Sequence, residues 1–194
     1  LGAVGLMLAQ GESGDPSHVP RLRLALALVV GVVLQLALNI ADNLDGALGS
    51  AGLAGLLALG LLLPGSEALR GAALVGAGAT LGFLLWNVPP ARAFLGNGGS
   101  EMIALLASSL LAFSWARVDA APRWSLLLPF AWPLFDLGFV VLRRWREGRK
   151  PWQGGRDHTT HVLARRFRSD RPVFALLLLT ALLGLLLTLR GGPR

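Results

Sequence analysis

The sequence predicts an all-α, polytopic membrane protein, and three observations support that prediction. Of its 194 residues 54% are hydrophobic and only 15% are charged, whereas roughly a quarter of residues are charged in an ordinary soluble domain. The mean hydropathy is +0.60, and the apolar residues fall into long runs. The chain contains no cysteine. This composition excludes a soluble globular enzyme, a disordered chain and a disulfide-rich scaffold.

The apolar runs predict about six membrane-spanning helices. A helix needs about 20 mostly apolar residues to cross the hydrocarbon core of a bilayer, and it satisfies its own backbone polar groups there. The six runs are residues 22–38, 47–63, 71–88, 102–115, 124–142 and 173–189. Residues 1–9 are apolar but too short to span alone, so we expect them to end a helix that begins upstream. Residues 1–194 are thus expected to form a single integral-membrane domain, truncated at its N-terminus.

The basic residues predict the orientation of these helices. The formal net charge is +7, and ten of the 18 Lys and Arg residues lie within residues 143–171. Because basic loops stay on the cytoplasmic side of a membrane, this segment is expected to be a cytoplasmic loop. Counting helices back from it places residues 39–46 and 86–100 on the same side. Arg21 and Arg23, in an expected outer loop, oppose the assignment. We expect the polar segments to meet in one site at the inner membrane surface.

The first polar segment directly follows the first apolar run. Asn39, Asp42 and Asp45 are spaced i, i+3, i+6 and would share one face if the helix continued. With Asn43, they offer carboxylate and amide oxygens that suit a hard cation or the polar groups of a nucleotide. The alternative is structural, with Asp42 or Asp45 acting as the N-cap of the next helix.

The second polar segment, residues 87–100, is expected to be a loop. Pro89 and Pro90 stop the preceding helix. Residues 96–100, Gly-Asn-Gly-Gly-Ser, then lead into the next helix, and exposed backbone N–H groups before a helix form an anion site. A plain connecting turn is the alternative.

The third polar segment combines histidines with arginines. His158 and His161 are three residues apart, beside Arg156, and could contact phosphate or bind a metal. Zinc is disfavoured because no cysteine accompanies them, and the arginines favour an anion. Asp136 lies inside the fifth run, where a carboxylate indicates function; an ion pair with Arg143 or Arg144 is equally consistent with the sequence.

Together these motifs resemble those of the polyprenyl-phosphate N-acetylhexosamine-1-phosphate transferase family, which includes phospho-N-acetylmuramoyl-pentapeptide transferase. Residues 39–46 resemble its N-x-x-D-N/G-x-D-G motif, and residues 87–100 its N-x-P-P-A-x-x-F-M-G-D-x-G-S motif. Residues 133–136 with the following arginines resemble its P-x-x-D…R segment, and residues 155–161 its R-D-H-x-x-H loop. The resemblance covers the chain from residue 22 onward and favours the branch that acts on UDP-GlcNAc and undecaprenyl phosphate.

The resemblance implies a reaction and its surroundings. The family transfers a sugar-1-phosphate from a UDP-sugar to a polyprenyl phosphate, releases UMP and uses Mg²⁺. For this chain it implies N-acetylglucosamine-1-phosphate as the transferred group and a role in starting a cell-wall or surface-polysaccharide lipid intermediate. The expected location is the bacterial inner membrane, with the site facing the cytoplasm. The expected partners are the UDP-sugar, the lipid and the membrane, without nucleic acid, and a homodimer stays open.

The resemblance also implies residue roles. Asn43, Leu44 and Asp45 would line the uridine pocket, and Phe94 would stack near the base. Gly96, Gly98 and Ser100 belong to the substrate-binding segment. The remaining polar members of the catalytic site would be Asn39, Asp42, Asn87, Arg156, His158 and His161.

Two departures from the family pattern motivate an alternative. Asn97 occupies the position where most members carry an aspartate that binds Mg²⁺, so it is a weakened ligand position, with Asp42 as a second candidate ligand; Glu101 is a candidate for the lost charge. No Asp-Asp pair occurs in the sequence, although the family carries one upstream of the first motif. The alternative is a catalytically degenerate homologue or inactive fragment that binds lipid phosphate or a partner.

Overall fold

A computed structural model describes residues 21–63, 66–117 and 124–191. Over these ranges the chain is helical, with α1 (Arg21–Ala41), α2 (Ala47–Leu62), α3 (Glu67–Asn87) and α4 (Gly96–Arg117), followed by a 3-10 helix (Trp124–Phe130) that leads into α5 (Ala131–Arg146), and then α6 (Thr159–Phe167) and α7 (Asp170–Gly191). The predicted fold class is confirmed. The expected helix end within residues 1–9 lies outside the described residues.

Five of the helical segments described are long and apolar enough to cross a membrane, namely α1, α3, α4, the 3-10 helix joined to α5, and α7. Their outward faces carry large apolar side chains such as Val75, Leu85 and Leu179, which are 74%, 71% and 64% exposed. Such faces are stable against lipid and costly in water. The protein is therefore a multi-pass membrane protein.

Helix α2 differs from the span that the sequence predicts. It has 16 residues, which gives a length of about 24 Å against a hydrocarbon core of about 30 Å. Thirteen of those residues are buried, so its continuous hydrophobicity reflects packing inside the bundle. Its glycines allow this, because a Cβ atom on Gly55 would stand 1.9 Å from the ring of Phe130.

Helix packing brings several chain ends together. Helix α1 packs along α4, and α2 packs against α3 and α7. The end of α1 and the start of α4 meet through Asn39 and Glu101, and the start of α2 meets the end of α3 through Gly46 and Asn87. We call the part of the bundle formed by residues 42–46, 87–97 and 147–161 the polar end.

The basic segment 143–171 is not the simple loop that the sequence predicts. It contains α6, a nine-residue amphipathic helix. Thr160 is buried, and Leu163 and Ala164 pack against a small apolar cluster formed by Ala47, Val173 and Leu177. The other face of α6 carries exposed arginines, so the apolar face fixes the helix to the bundle and leaves its charges free.

Candidate functional site

Three side chain–mediated contacts bring the polar segments together at the polar end. The Gly46 N–H donates to Asn87 Oδ1 at 2.8 Å, and the Ala91 N–H donates to Asp45 Oδ2 at 2.9 Å. The Thr160 hydroxyl donates to Asn43 Oδ1 at 2.5 Å, across 117 residues of sequence. The structure thus brings the three predicted segments together.

The first segment is a turn and does not continue the helix. Helix α1 ends at Ala41, so Asn39, Asp42 and Asp45 do not share one helical face as the spacing predicted. The N-cap of α2 is Gly46, which makes no side-chain cap, so the prediction that Asp42 or Asp45 caps this helix is wrong. Asp45 accepts from the neighbouring loop instead, at Ala91.

The backbone at Gly46 explains why this turn is compact. Its φ is +76°, in the left-handed region, and an added Cβ atom would stand 2.4 Å from the ring of Phe174. Only glycine adopts this conformation without strain. The turn leaves Leu44 half-buried against the apolar cluster below α6.

The carboxyl group of Asp42 has an unfavourable environment for its charge. Desolvation by the surrounding protein and the negative charge of Asp45 raise the pKa of Asp42. Like charges held close together favour a cation or a proton between them. Enough of Asp42 is open to solvent for a ligand to reach it.

Asn87 holds the second segment in place. Its Oδ1 accepts from Gly46 and its Nδ2 donates to the Ala93 carbonyl at 2.8 Å. The Trp86 carbonyl accepts from the N–H groups of Arg92 and Ala93, at 2.7 and 3.2 Å. Asn87 is buried and both ends of its amide are engaged, so it orders the loop that carries Phe94, which is 76% exposed.

The glycine-rich stretch is the first turn of α4 rather than a loop before it. Helix α4 begins at Gly96, whose φ is +60°, and Ser100 lies one turn on. Ser100 is buried, and its hydroxyl shares one bifurcated hydrogen bond between the Gly96 and Asn97 carbonyls, each at 3.1 Å. It therefore stabilises the first turn of α4 and is not free to bind a ligand. Asn97 and Gly98 are exposed, beside the open N–H groups of a helix start.

Asp136 fixes the start of the third segment. It is fully buried on α5, and its Oδ2 lies 2.7 Å from His158 Nδ1. Its Oδ1 accepts from the Thr159 N–H at 2.7 Å and the Thr159 hydroxyl at 2.5 Å, and Trp132 Nε1 donates to the same hydroxyl at 3.1 Å. Because Nδ1 faces a carboxylate, the imidazole donates from Nδ1 and its Nε2 is left for other partners.

The arginine partners suggested for Asp136 are engaged elsewhere. Arg144 forms a two-pronged pair with Asp157, with N–O distances of 2.9 and 2.7 Å, and it also donates to the Pro151 carbonyl at 2.7 Å. Arg143 pairs with the exposed Glu147. The hydrogen bonds from Arg144 hold the pKa of Asp157 well below its usual range. This buried ion pair joins Arg144 on α5 to the residue directly before His158 and so fixes the two ends of the intervening segment.

His158 and His161 are neighbours with different surroundings. Their ring centroids are 6.1 Å apart; His158 is the N-cap residue of α6 and His161 lies in its first turn. Partial burial, followed by the positive surroundings of His158, Arg156 and Arg165, lowers the pKa of His161. His161 is therefore neutral at pH 7, and a bound anion would offset those positive charges.

Seven cations of the basic segment have no ion pair with a described residue. Arg143, Arg144 and Arg149 are paired with Glu147 or Asp157. The unpaired ones are Arg146, Lys150, Arg156, Arg165, Arg166, Arg168 and Arg171. Arg156 is exposed two residues before His158, so it places a free guanidinium group beside the histidine pair.

A polar chain links α1 to α4 at the same end. Gln35 Nε2 donates to Glu101 Oε2 at 2.8 Å, and Asn39 Nδ2 donates to Glu101 Oε1. Both carboxylate oxygens of Glu101 therefore accept hydrogen bonds from side chains of α1. The helices are antiparallel here, because Gln35 also accepts from Ser108, at 2.8 Å, further along α4.

The antiparallel pairing also locates the two predicted magnesium ligands. Asp42 follows Asn39 by three residues and Asn97 precedes Glu101 by four, so both lie beyond this contact, at the polar end. Among the described residues no group of three or more His, Asp or Glu side chains could hold a metal by itself. An exposed carboxylate and an exposed amide do fit Mg²⁺, which commonly takes one or two protein oxygens together with substrate phosphates and water.

Several residues that form the site could not be identified from the sequence pattern. Thr159 and Trp132 support Asp136, Asp157 closes the loop before His158, and Gln35 reaches Glu101 from within an apolar run. Gln35 carried a usable signal, since an uncharged polar residue inside a span usually bonds across helices. Nothing in the sequence pairs Asp157 with Arg144.

Comparison with known proteins assigns the chain to a family. The family model described as glycosyl transferase family 4 matches residues 4–114, more than half of the chain. The chain belongs to glycosyl transferase family 4. The match includes α1 to α3, the turn after α1, the Asn87 loop and most of α4.

Individual relatives agree with this assignment. An undecaprenyl-phosphate alpha-N-acetylglucosaminyl 1-phosphate transferase of Thermotoga maritima is 30% identical over 77% of this chain and 46% of the relative. A decaprenyl-phosphate N-acetylglucosaminephosphotransferase of Mycobacterium tuberculosis is 33% identical over 92% of this chain and 48% of the relative. A phospho-N-acetylmuramoyl-pentapeptide-transferase of Thermosynechococcus vestitus is 44% identical over 45% of this chain and 23% of the relative. The chain spans about half the length of the first two relatives.

Proposed function

We propose that this protein transfers N-acetylglucosamine-1-phosphate from a UDP-sugar to a polyprenyl phosphate, releasing UMP, at a site on its polar end. The observation that carries the proposal is the convergence of three distant segments through Gly46–Asn87, Asp45–Ala91 and Asn43–Thr160. The names of the relatives above support the choice of reaction class.

The arrangement suits phosphoryl transfer. In this reaction an oxygen of the lipid phosphate bonds to the phosphorus that carries the sugar, and the bond from that phosphorus to UMP breaks. Such a step depends on positioning and on charge stabilisation, with little covalent work for the protein. Arg156, His158 and His161 are the groups proposed to hold phosphate or sugar, and the Asp136 anchor keeps His158 in place. Nε2 of the neutral His158 ring would accept from a sugar hydroxyl, whereas the charged ring would donate to a phosphate oxygen.

The polar end also offers groups for the nucleotide. Asp45 and Asn43 lie in the turn after α1, and Phe94 stands exposed on the adjoining loop. An exposed aromatic ring on the loop that Asp45 holds at Ala91 suits stacking on a uracil base, and a carboxylate oxygen suits its N–H donor. Asn43 donates to the Ile40 carbonyl and accepts from Thr160, so it would shape this pocket. Their roles in uridine binding are part of the proposal.

We further propose that Mg²⁺ binds at Asp42, with Asn97 as a weaker, neutral oxygen ligand. When bound, Mg²⁺ would neutralise negative charge on the phosphate oxygens. Burial first, and then the negative charge of Asp45, raise the pKa of Asp42, and a bound cation would offset both effects, which supports a cation site. A carbonyl oxygen at Asn97 carries no formal charge, so binding is expected to be weaker than with a carboxylate there.

The proposed location is the bacterial inner membrane, with the polar end facing the cytoplasm. The unpaired cations of the basic segment support this orientation through the positive-inside rule. A largely apolar cavity between α1 and α4, lined by residues such as Leu28, Leu36 and Leu105, provides an apolar surface near the polar end for a lipid chain.

The test is UMP release by the full-length protein in lipid nanodiscs with UDP-N-acetylglucosamine, undecaprenyl phosphate and Mg²⁺. We expect release that falls at least about tenfold in Arg156→Gln or His161→Asn, since each loses a charged or polar contact to phosphate. Arg171→Gln, an exposed arginine at the start of α7, is the matched control and should retain activity. No release above the no-lipid background, with lipid phosphate still bound, would reject transfer and favour the degenerate homologue.

A further inference from the structure

We propose that Glu101 is a positioning residue that fixes the side-chain amide of Asn39, so that Asn39 Oδ1 faces the ligands of the polar end. The inference rests on the proposed function and adds one element to it. It assigns Asn39 the role of an acceptor, for a hard cation or for an N–H or O–H donor of the nucleotide sugar.

The geometry is a relay of side chains between two helices. The Ser108 hydroxyl donates to Gln35 Oε1 at 2.8 Å, and Gln35 Nε2 donates to Glu101 Oε2 at 2.8 Å. The other carboxylate oxygen of Glu101 accepts from Asn39 Nδ2. Both amides therefore present their nitrogen to one carboxylate.

The chemistry of these groups sets the direction of each amide. A carboxylate can only accept hydrogen bonds, and an amide NH₂ group can only donate. Asn39 must turn its nitrogen toward Glu101, which leaves Oδ1 on the opposite side. In the part of the chain that the structure describes, Asn39 Oδ1 accepts no hydrogen bond.

The position of Asn39 makes this orientation consequential. It lies in the last turn of α1, which ends at Ala41, and Asp42 follows directly. The Asn39 oxygen therefore adds a neutral acceptor near the one exposed carboxylate of the first segment. If the amide were reversed, two N–H donors would face the site and would oppose a cation or a sugar hydroxyl donor.

A charge effect of Glu101 can be separated from positioning by two neutral variants. Glu101→Gln keeps an oxygen that can accept from Asn39, whereas Glu101→Met has similar length and no acceptor. Positioning predicts that Met weakens ligand binding by about tenfold, the size of one lost hydrogen bond to a charged group, and that Gln weakens it less. A direct charge effect predicts equal losses.

The readouts are binding measurements on the full-length protein in nanodiscs. Mn²⁺ affinity, measured by electron paramagnetic resonance without nucleotide, reports a cation as the ligand. UDP-N-acetylglucosamine affinity, measured by calorimetry without metal, reports a donor on the nucleotide sugar. Thr180→Ala is the control: it removes a hydroxyl that bonds to the Leu177 carbonyl within α7 and should leave both affinities unchanged. Thermal unfolding of each variant reports any general loss of folding.

A double variant completes the test. With Asn39→Ala present, Glu101→Met should cause no further loss, because the residue through which it acts is gone. Equal losses in Met and Gln, additive losses in the double variant, or binding of neither ligand by the unmodified protein would overturn the inference. UMP release without this coupling would leave the proposed function intact and reject only the role of Glu101. Coupling without UMP release would reject the proposed transfer and leave the role of Glu101 intact.

Discussion

Replacing Asp136 should be the most damaging single change at the polar end. Its carboxylate is fully buried and accepts three hydrogen bonds, from His158 at 2.7 Å and from Thr159 at 2.7 and 2.5 Å. Asp136→Ala leaves the Thr159 N–H and the His158 ring without their partner in a buried setting. Asp136→Asn keeps an amide oxygen that can accept from Thr159, but its NH₂ group cannot accept a hydrogen bond from the His158 ring.

The size of the effect follows from those contacts. A hydrogen bond to a charged group is worth about 1.5–3 kcal/mol, and breaking a buried charged network costs about 3–5 kcal/mol. We therefore expect Asp136→Ala to lower the free energy of unfolding by about 3–5 kcal/mol and Asp136→Asn by about 1.5–3 kcal/mol, the value of the one bond to His158. At about 2–4 °C per kcal/mol, the alanine variant should lose at least about 6 °C in Tm.

Thermal unfolding followed by tryptophan fluorescence measures this directly. Glu147→Gln is the matched control, because this exposed acid follows the same helix, and its surface pairs with Arg143 and Arg149 contribute little to stability. UMP release should fall in both Asp136 variants, since each frees the His158 ring. An Asp136→Ala protein with an unchanged Tm would refute the claim that this carboxylate anchors the third segment.

Three further results are expected. Asp157→Asn should flatten the loss of stability in acid: the pKa of Asp157 is held low in the folded protein, so its contribution is present above an ordinary pKa of about 3.9 and is lost as pH falls through the lower folded value. Unfolding measured from pH 5 to 2 tests this, and parallel curves for both proteins would contradict it. Gly46→Ala should lower the free energy of unfolding by at least about 1–2 kcal/mol, through backbone strain and contact with Phe174. Gly138→Ala, at a position with open space around it, is the control and should not lower it. Equal Tm values for the two variants would contradict this prediction. The pKa of His161 is lowered, so His161 gains its charge only as the pH falls, and UDP should then bind more tightly. Calorimetry from pH 8 to 5 should show a weaker pH dependence of UDP affinity in His161→Gln. Identical profiles for the two proteins would exclude a role of His161 in binding UDP.

The helices could be predicted because their signal is local. Five of the apolar runs became long helices, since hydrophobic length alone decides whether a segment is stable in lipid. The run that forms α2 is also continuously apolar, but the cause is different, because apolar residues are equally favoured in the buried centre of a helix bundle. Residues 96–100 were expected to form a loop from their glycine content, but Gly96 supplies the turn and the rest joins α4.

The site could be predicted in outline but not in its contacts. The alternating direction of successive apolar runs was enough to place the polar segments at one end, because α2, although short, runs antiparallel to α3 and so returns the chain to Asn87 beside Gly46. The partner of Asp136 was not predictable, because Arg144 and His158 both lie within reach along the chain and only the fold of residues 147–158 selects between them. The bond from Thr160 to Asn43 joins residues 117 apart, and no periodicity in the sequence reports such a pair.

Photo-crosslinking tests the central claim, a single nucleotide-sugar site built from the three segments. A photoreactive UDP-sugar would be irradiated with the full-length protein in nanodiscs, and the adducts mapped by mass spectrometry. We expect adducts within residues 42–46, 87–97 and 156–161, all abolished by excess UDP-N-acetylglucosamine. Competed adducts confined to other parts of the chain, or adducts insensitive to competition, would contradict it.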